Sequence, residues 1–341
     1  MSLRLHRTSS IDNEMNGFRV PLLVLIVLAS FIPSGCNKAN LRQVMQKHVP
    51  ETGVSPKIIA DYQPWFGDPA HIDVGYNSQD PAVIRKQINQ AKNMGIHAFV
   101  VDWYGDRHPF LDRSYAIMQQ IASQMQFKVA LMYDETQEDN GHATEDALQA
   151  FDKAYKNYIG PTAPARNAYL LYQGRPIIFI FPKRGNTDWD QVRQAVNSWE
   201  TPPWLIYKDN PPPKYAKNFD GQYAWVHPDK GWRADGSDWG EKYLENFYIK
   251  MRTKYPDQIA VGAAWPGFND TKASWSLNRS IDPRCGKTFE DTLKMFRRYY
   301  DDSHPLPFLM IATWNDYEEG TAIEQGLARC DKNENKDRSG L

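Results

Sequence analysis

The sequence predicts a single-domain α/β protein folded as a closed (β/α)8 (TIM) barrel, on three observations. Eight short apolar runs alternate with amphipathic helical stretches between residues 58 and 316. Nearly all of these runs are continuous rather than alternating in polarity, as strands buried on both faces of a parallel sheet require. The repeat extends over about 260 residues, the size of one closed barrel. Composition agrees. The 341 residues carry 40 basic and 41 acidic side chains, a net charge of −1, so there is no electrostatic footprint for nucleic acid. With 41% apolar and 24% charged residues, the chain is neither disordered nor a multi-span membrane protein.

The strands are predicted over 58–66, 97–105, 128–135, 175–183, 204–209, 222–228, 259–266 and 307–316. Asp80 and Pro81 open the first helix after the first strand as N-cap and first-turn proline, and Gly95 closes it. Further helices are expected over 111–126, 144–158, 189–198 and 238–255. A capping-box variant from Thr288 to Asp291 starts the last one, ahead of Leu293, Phe296 and Tyr300. Gln173 and Gly174 mark a hairpin that adds one strand before the fourth barrel strand. The crossover 209–222 contains three consecutive prolines and is barely long enough for a helix. Beyond the eighth strand only 322–330 can supply a closing helix, so that helix is short or missing.

The first 36 residues read as an export address. Arg4, His6, Arg7 and Arg19 precede an apolar run over 20–32, too short for a membrane span and the right length for a signal-peptide core. The ending Ile32-Pro33-Ser34-Gly35-Cys36 resembles a bacterial lipobox, with Pro33 where an aliphatic residue is usual, and makes Cys36 the lipidated first residue of the mature chain. An uncleaved anchor or plain secretion are the alternatives, and each of them exports the domain. Residues 37–57 read as a polar tether with one short helix, and 58–341 as the barrel. Cys285 and Cys330 remain, either as a disulfide or as two buried thiols; no ligand spacing for a metal is present.

In such a barrel the site forms at the carboxyl ends of the strands. The residues there are acids and aromatics: Tyr62, Trp65 and Phe66; Asp102, Trp103 and Tyr104; Tyr133, Asp134 and Glu135; Lys183; Asp209; Trp225 and His227; Trp265; and Trp314, Asn315, Asp316 and Glu319. A sugar asks for that set, with carboxylates accepting hydroxyl hydrogen bonds and flat rings under the C–H faces. Cleaving a glycosidic bond further asks for two carboxyl groups flanking it. Asp316 and Glu319 are the catalytic candidates, provided the chain leaves the strand near Asn315, because residues three apart on a strand face opposite ways. Glu318 reads as a solvated acid.

The segment Trp314-Asn315-Asp316-Tyr317-Glu318-Glu319-Gly320-Thr321 resembles the signature of glycoside hydrolase families 71 and 99. Family 99 endo-α-mannosidases carry Trp-Asn-Glu-Trp-x-Glu-Gly-Thr and family 71 α-1,3-glucanases carry Trp-Asn-Asp-Tyr-x-Glu. Tyr62-Gln63-Pro64-Trp65-Phe66 is similar to the Tyr-x-x-Trp-Tyr opening of family 99, and Gly267-Phe268-Asn269-Asp270 to a turn after strand seven in related bacterial proteins. The resemblance implies that Asp316 is the base or 2-OH-assisting carboxylate and Glu319 the general acid. It implies inversion if the chain follows family 71 and retention if it follows family 99.

The sequence thus leads to an exported, periplasmic or cell-surface lipoprotein that cleaves an α-linked mannoside or glucan. Its substrate contacts are Tyr62, Trp65, Asp102, Trp103, Tyr133, Asp134, Asp209, Trp225, Trp265 and Asn315. Its partners are an oligosaccharide or polysaccharide and, through the lipid, a membrane; it needs no metal or organic cofactor and acts as a monomer. Two other functions compete: a non-catalytic glycan-binding lipoprotein on the same barrel, and a barrel protein associated with polysaccharide assembly.

Overall fold

The computed structural model describes residues 41–49, 56–136, 141–228, 238–301 and 303–327. Eight parallel strands close on one another: β1 (Lys57–Tyr62), β2 (Ala98–Trp103), β3 (Lys128–Asp134), β4 (Arg175–Phe181), β5 (Trp204–Lys208), β6 (Gly221–Tyr223), β7 (Ile259–Ala264) and β8 (Phe308–Ile311). Each pairs with its neighbours in sequence, and β8 returns to β1 with Lys57 opposite Phe308. The register climbs around the barrel: Asp61 lies opposite Val100, Asp102 opposite Met132, and Asp134 opposite Phe181. Acids on successive strands therefore stand at successively higher levels.

Helices α2 (Pro81–Asn93), α3 (Pro109–Gln124), α4 (Ala143–Ala154) and α5 (Trp189–Asn197) follow β1 to β4, and α6 (Glu241–Thr253) and α7 (Lys287–Tyr299) follow β6 and β7. In α2, Asp80 accepts from the Ala82 amide at 2.8 Å, Pro81 occupies the first turn, and Gly95 takes the left-handed conformation just past the end. Its Ile84 and Ile88 are fully buried against the strands, each stabilising the docked helix by about 2 kcal/mol. The hairpin is present as well. Leu171–Tyr172 pairs antiparallel with the start of β4 across a turn in which Gln173 and Gly174 both have positive φ.

Other expectations are corrected. Helix α7 begins at Lys287 behind Gly286 with no side-chain cap. Thr288 instead donates to the Asp282 carbonyl, and Asp291 pairs with Arg284 and Lys287, so no capping box forms. The proline-rich crossover holds only a 3-10 segment, Pro213–Asn218, and β6 is three residues long. β8 ends at Ile311, five residues earlier than predicted, and the chain leaves it through a cis Ala312–Thr313 peptide.

Among the described residues no helix follows β8. Helix α1 (Leu41–His48), from the segment read as a tether, lies against α7, and Leu41 borders a groove shared with Gln90 of α2 and Met94 just past its end. Leu41, Met45 and Val49 are buried in the common core. An N-terminal helix thus occupies the place of the eighth. Cys285 is disulfide-bonded, while Cys330, Cys36 and the whole predicted export segment lie outside the described residues. No helix among the described residues is long and apolar enough to cross a membrane.

Candidate active site

A cavity of about 220 Å³ opens at the carboxyl ends of the strands, lined by Gln63, Trp65, His71, Asp102, Tyr104, Met132, Asp134, Phe181, Lys183, Trp225, Trp275, Asp316 and Glu319. Strand alternation decides which residues reach it. Asp102 and Tyr104 line it while Trp103 between them does not, and Met132 and Asp134 line it while Tyr133 does not. The volume is below the roughly 300–1,000 Å³ that holds a drug-sized ligand, and suits one sugar ring.

The turn after β8 brings the two candidate acids together. Thr313 Oγ1 accepts from the Asp316 amide at 2.8 Å, and Asp316 Oδ1 accepts from the Glu318 and Glu319 amides at 3.0 and 2.8 Å. This reversal removes the strand parity that would have set Asp316 and Glu319 on opposite faces. Asn315 staples the turn to β1: its Oδ1 accepts from the Gln63 amide at 2.8 Å, and its Nδ2 donates to the Gln63 carbonyl at 2.9 Å.

Five carboxyl groups share this end of the barrel. Burial, reinforced by Glu319, pushes Asp316 well above the usual carboxylate range, and burial raises Glu319 too. Asp61, with no exposed surface, is pushed up by burial and then by Asp102, Asp316, Glu319 and Asp134. Burial and Asp134 raise Asp102, while burial takes Asp134 to about 6 against the pull of Lys183, 3.3 Å away. They cannot all be ionised at neutrality. At the end of β5, burial lowers Lys208 to about 8, where it sits 3.6 Å from the centre of the Phe181 ring. Gln63 Oε1 and Asp102 Oδ1 are buried acceptors with no protein donor, and a hydroxyl-rich ligand would supply one.

An aromatic wall stands beside Glu319. Trp65 and His71 are stacked at 4.4 Å with planes 2° apart, and Trp275 meets both edge-on. Trp275 Nε1 donates to Glu319 Oε1 at 2.9 Å. Its loop is held by buried Asp270, which accepts from the Leu277 and Arg279 amides, Arg279 Nε and Ser276 Oγ.

Of the residues named at the strand ends from sequence, Trp65, Asp102, Tyr104, Asp134, Lys183, Trp225, Asp316 and Glu319 line the cavity. Four nominated rings pack elsewhere because they belong to the opposite row or lie deeper. Tyr62 donates to Gln87 of α2, Trp103 to Asp112 of α3, Trp265 to the Trp239 carbonyl, and Tyr133 packs on Phe151 of α4. Asn315 acts through Gln63. Asp209 accepts from Tyr243, whose oxygen in turn accepts from the Trp225 amide, so it supports the wall from behind. Glu318 is the reverse of solvated: it is 2% exposed and pairs with His71 at 2.8 Å. Gln63, His71, Met132, Phe181 and Trp275 were not nominated; Gln63, Met132 and Phe181 have the inward parity, but His71 and Trp275 sit in loops with no periodic signal. No group of three or more His, Cys, Asp or Glu among the described residues is arranged to hold a metal ion.

Comparison with solved structures finds the same architecture. The chain is 17% identical to a GH99 endo-α-mannosidase from Bacteroides thetaiotaomicron bound to bis-tris propane, covering 82% of this chain and 92% of the other at a TM-score of 0.60. A second structure of a GH99 endo-α-mannosidase from Bacteroides thetaiotaomicron is 18% identical, with coverage of 79% and 87% and a TM-score of 0.57. A glycoside hydrolase-like protein follows at 15% identity, 80% and 88% coverage and 0.55. No curated protein matches by sequence. The model of glycosyl hydrolase family 71 matches residues 71–338. With a family match over most of the chain and a carboxylate-lined cavity at the barrel mouth, this protein belongs to glycosyl hydrolase family 71 and is a glycosidase.

Proposed function

We propose that the protein cleaves an α-linked glucan or mannan between Asp316 and Glu319, with inversion at the anomeric carbon. The observation that carries this reading is the turn after β8, which sets the buried carboxyl group of Asp316 and the half-buried one of Glu319, three residues apart, on one cavity wall. Crowding leaves the pair one proton short of neutral. In this reading Asp316, whose Oδ1 accepts from two backbone N–H groups, works as the ionised partner against the upward push of its burial, and the more exposed Glu319 carries the proton. Glu319 gives that proton to the departing oxygen while Asp316 takes one from the attacking water. Asp102, Asp134 and Gln63 accept the ring hydroxyls, and Trp65 and Trp225 cover its apolar faces.

The test is a panel of α-linked gluco- and manno-oligosaccharides with Glu319→Gln as control. Turnover that the variant loses by about 100- to 10,000-fold, with a first product of inverted configuration by NMR, supports the reading. Binding without turnover by the parent would transfer the protein to the glycan-binding class. We further propose that the chain acts outside the cytoplasm as a monomer, lipid-anchored through Cys36. Mass spectrometry of the mature N-terminus reads that directly, and a mature chain beginning anywhere else overturns it.

A further inference from the structure

We propose that Trp275 is a positioning residue for Glu319: its indole N–H holds that carboxyl group against the cavity and strengthens it as an acid, while its ring completes with Trp65 and His71 a wall for the departing sugar. The proposal rests on the reading of Glu319 as general acid. Trp275 is 40% exposed although its N–H lies 2.9 Å from Glu319 Oε1, so core packing does not account for it. An indole N–H only donates. It therefore favours the ionised carboxyl group and gains strength as charge develops on Glu319 during proton transfer.

Two further features fit. Asp270 ties the Trp275 loop down with both of its oxygens, which holds the indole where Glu319 meets it. The adjacent Glu318 does for His71 what Glu319 does for Trp275, accepting from or pairing with its Nδ1 at 2.8 Å. Two consecutive glutamates thus fix two rings of one wall. The other charges facing Glu319 are Asp316 in its own turn, Asp61 on β1, Lys183 after β4, Lys208 at the end of β5 and Arg279 in the Trp275 loop. All of them remain in Trp275→Phe, which deletes the donor and keeps a ring.

The measurement is carboxyl 13C NMR of glutamate-labelled protein, with the Glu319 signal identified by its loss in Glu319→Gln. Glu319 should titrate about one pH unit higher in Trp275→Phe, a tenfold change in its ionisation constant, as expected for one hydrogen bond to a charged group. With an α-linked oligosaccharide, kcat should fall about tenfold and the alkaline limb of its pH profile should move up with the titration. An α-glycosyl fluoride, whose leaving group needs no proton, should lose little. Trp275→Ala should in addition raise KM for the oligosaccharide. An unchanged Glu319 titration in an active enzyme overturns the role of Trp275 alone. A parent that hydrolyses no α-glycoside overturns the assignment of Glu319, and the Trp275 role with it.

Discussion

At the carboxyl ends of β1, β2 and β3, Asp61, Asp102 and Asp134 turn toward the barrel axis, while Tyr62, Trp103 and Tyr133, each one residue away, turn to the surrounding helices. The inward row collects buried carboxyl groups that repel one another, and three of its acceptors, on Asp61, Gln63 and Asp102, have no protein partner. The outward row is tied to the helices: Tyr62 bonds Gln87, Trp103 bonds Asp112, and Tyr133 packs on Phe151 although its buried hydroxyl has no partner. One row therefore holds the electrostatic strain of a site, and the other holds the helices in place. Substitutions should separate along the same line, activity falling with the inward row and stability with the outward.

The largest effect should come from the turn that extends the inward row past β8. Asp316→Asn should lower kcat by about 100- to 10,000-fold and leave the thermal midpoint unchanged or higher, because it removes a charge from a crowded, buried group. A variant that instead unfolds would show that Asp316 Oδ1 is needed mainly to shape the turn, and the division between rows would fail there.

Asp134 tests the cost of the inward row directly. Its folded-state value is raised from 3.8 to about 6, so between those pH values the native state binds a proton that the unfolded state has released. Stability must then fall as pH rises from about 4 to 6, by about 3 kcal/mol in all. Asp134→Asn lacks this dependence. Urea unfolding at pH 4.5 and 7 should show the variant gaining on the parent as pH increases. A stability difference that stays constant across that interval would mean that Lys183 already compensates the charge.

Next comes Asp270, a buried acid outside both rows. Burial raises it, but hydrogen bonds from the Leu277 and Arg279 amides and the Arg279 side chain outweigh that and hold it below the usual range. Its contribution is therefore complete above about pH 4 and is lost as pH falls through its lowered value. Asp270→Ala should cost about 2 kcal/mol and lower kcat through the freed Trp275 loop. Full activity in a destabilised variant would separate the loop from the chemistry.

How much of this was legible follows from the same geometry. The barrel was readable because continuous apolar runs have one meaning when they alternate with capped helices, and the Asp80-Pro81 and Gly95 signals are local. The acid pair was readable from its motif. The choice between Asp102 and Trp103, or Tyr133 and Asp134, was not, since both rows of a buried strand are apolar or aromatic below the mouth and the sequence carries no marker of phase. Asp61 escaped notice because the strand was expected to run on to Phe66, whereas β1 ends at Tyr62, one residue beyond Asp61. Trp275 and His71 come from loops after β7 and β1, whose path is set by Asp270 and Glu318 rather than by any periodicity.

The smallest effect should come from the outward row, and it is the sharpest check on the comparison. Tyr62→Phe removes a hydroxyl 2.8 Å from Gln87 Oε1 and leaves that buried acceptor unpaired. The cost should be about 1 kcal/mol, or about 2 °C in the thermal midpoint for a chain of this size. Trp103→Phe should cost less, because Asp112 keeps its bond from Tyr158 at 2.6 Å. Neither side chain reaches the cavity, so kcat/KM on the best substrate of the panel should stay within about twofold of the parent, the scatter expected away from a site. Asp61 and Gln63 flank Tyr62 in sequence and would move with it if β1 shifted. A tenfold loss of kcat/KM in Tyr62→Phe would therefore mean that the two rows are mechanically coupled and that the helices tune the site.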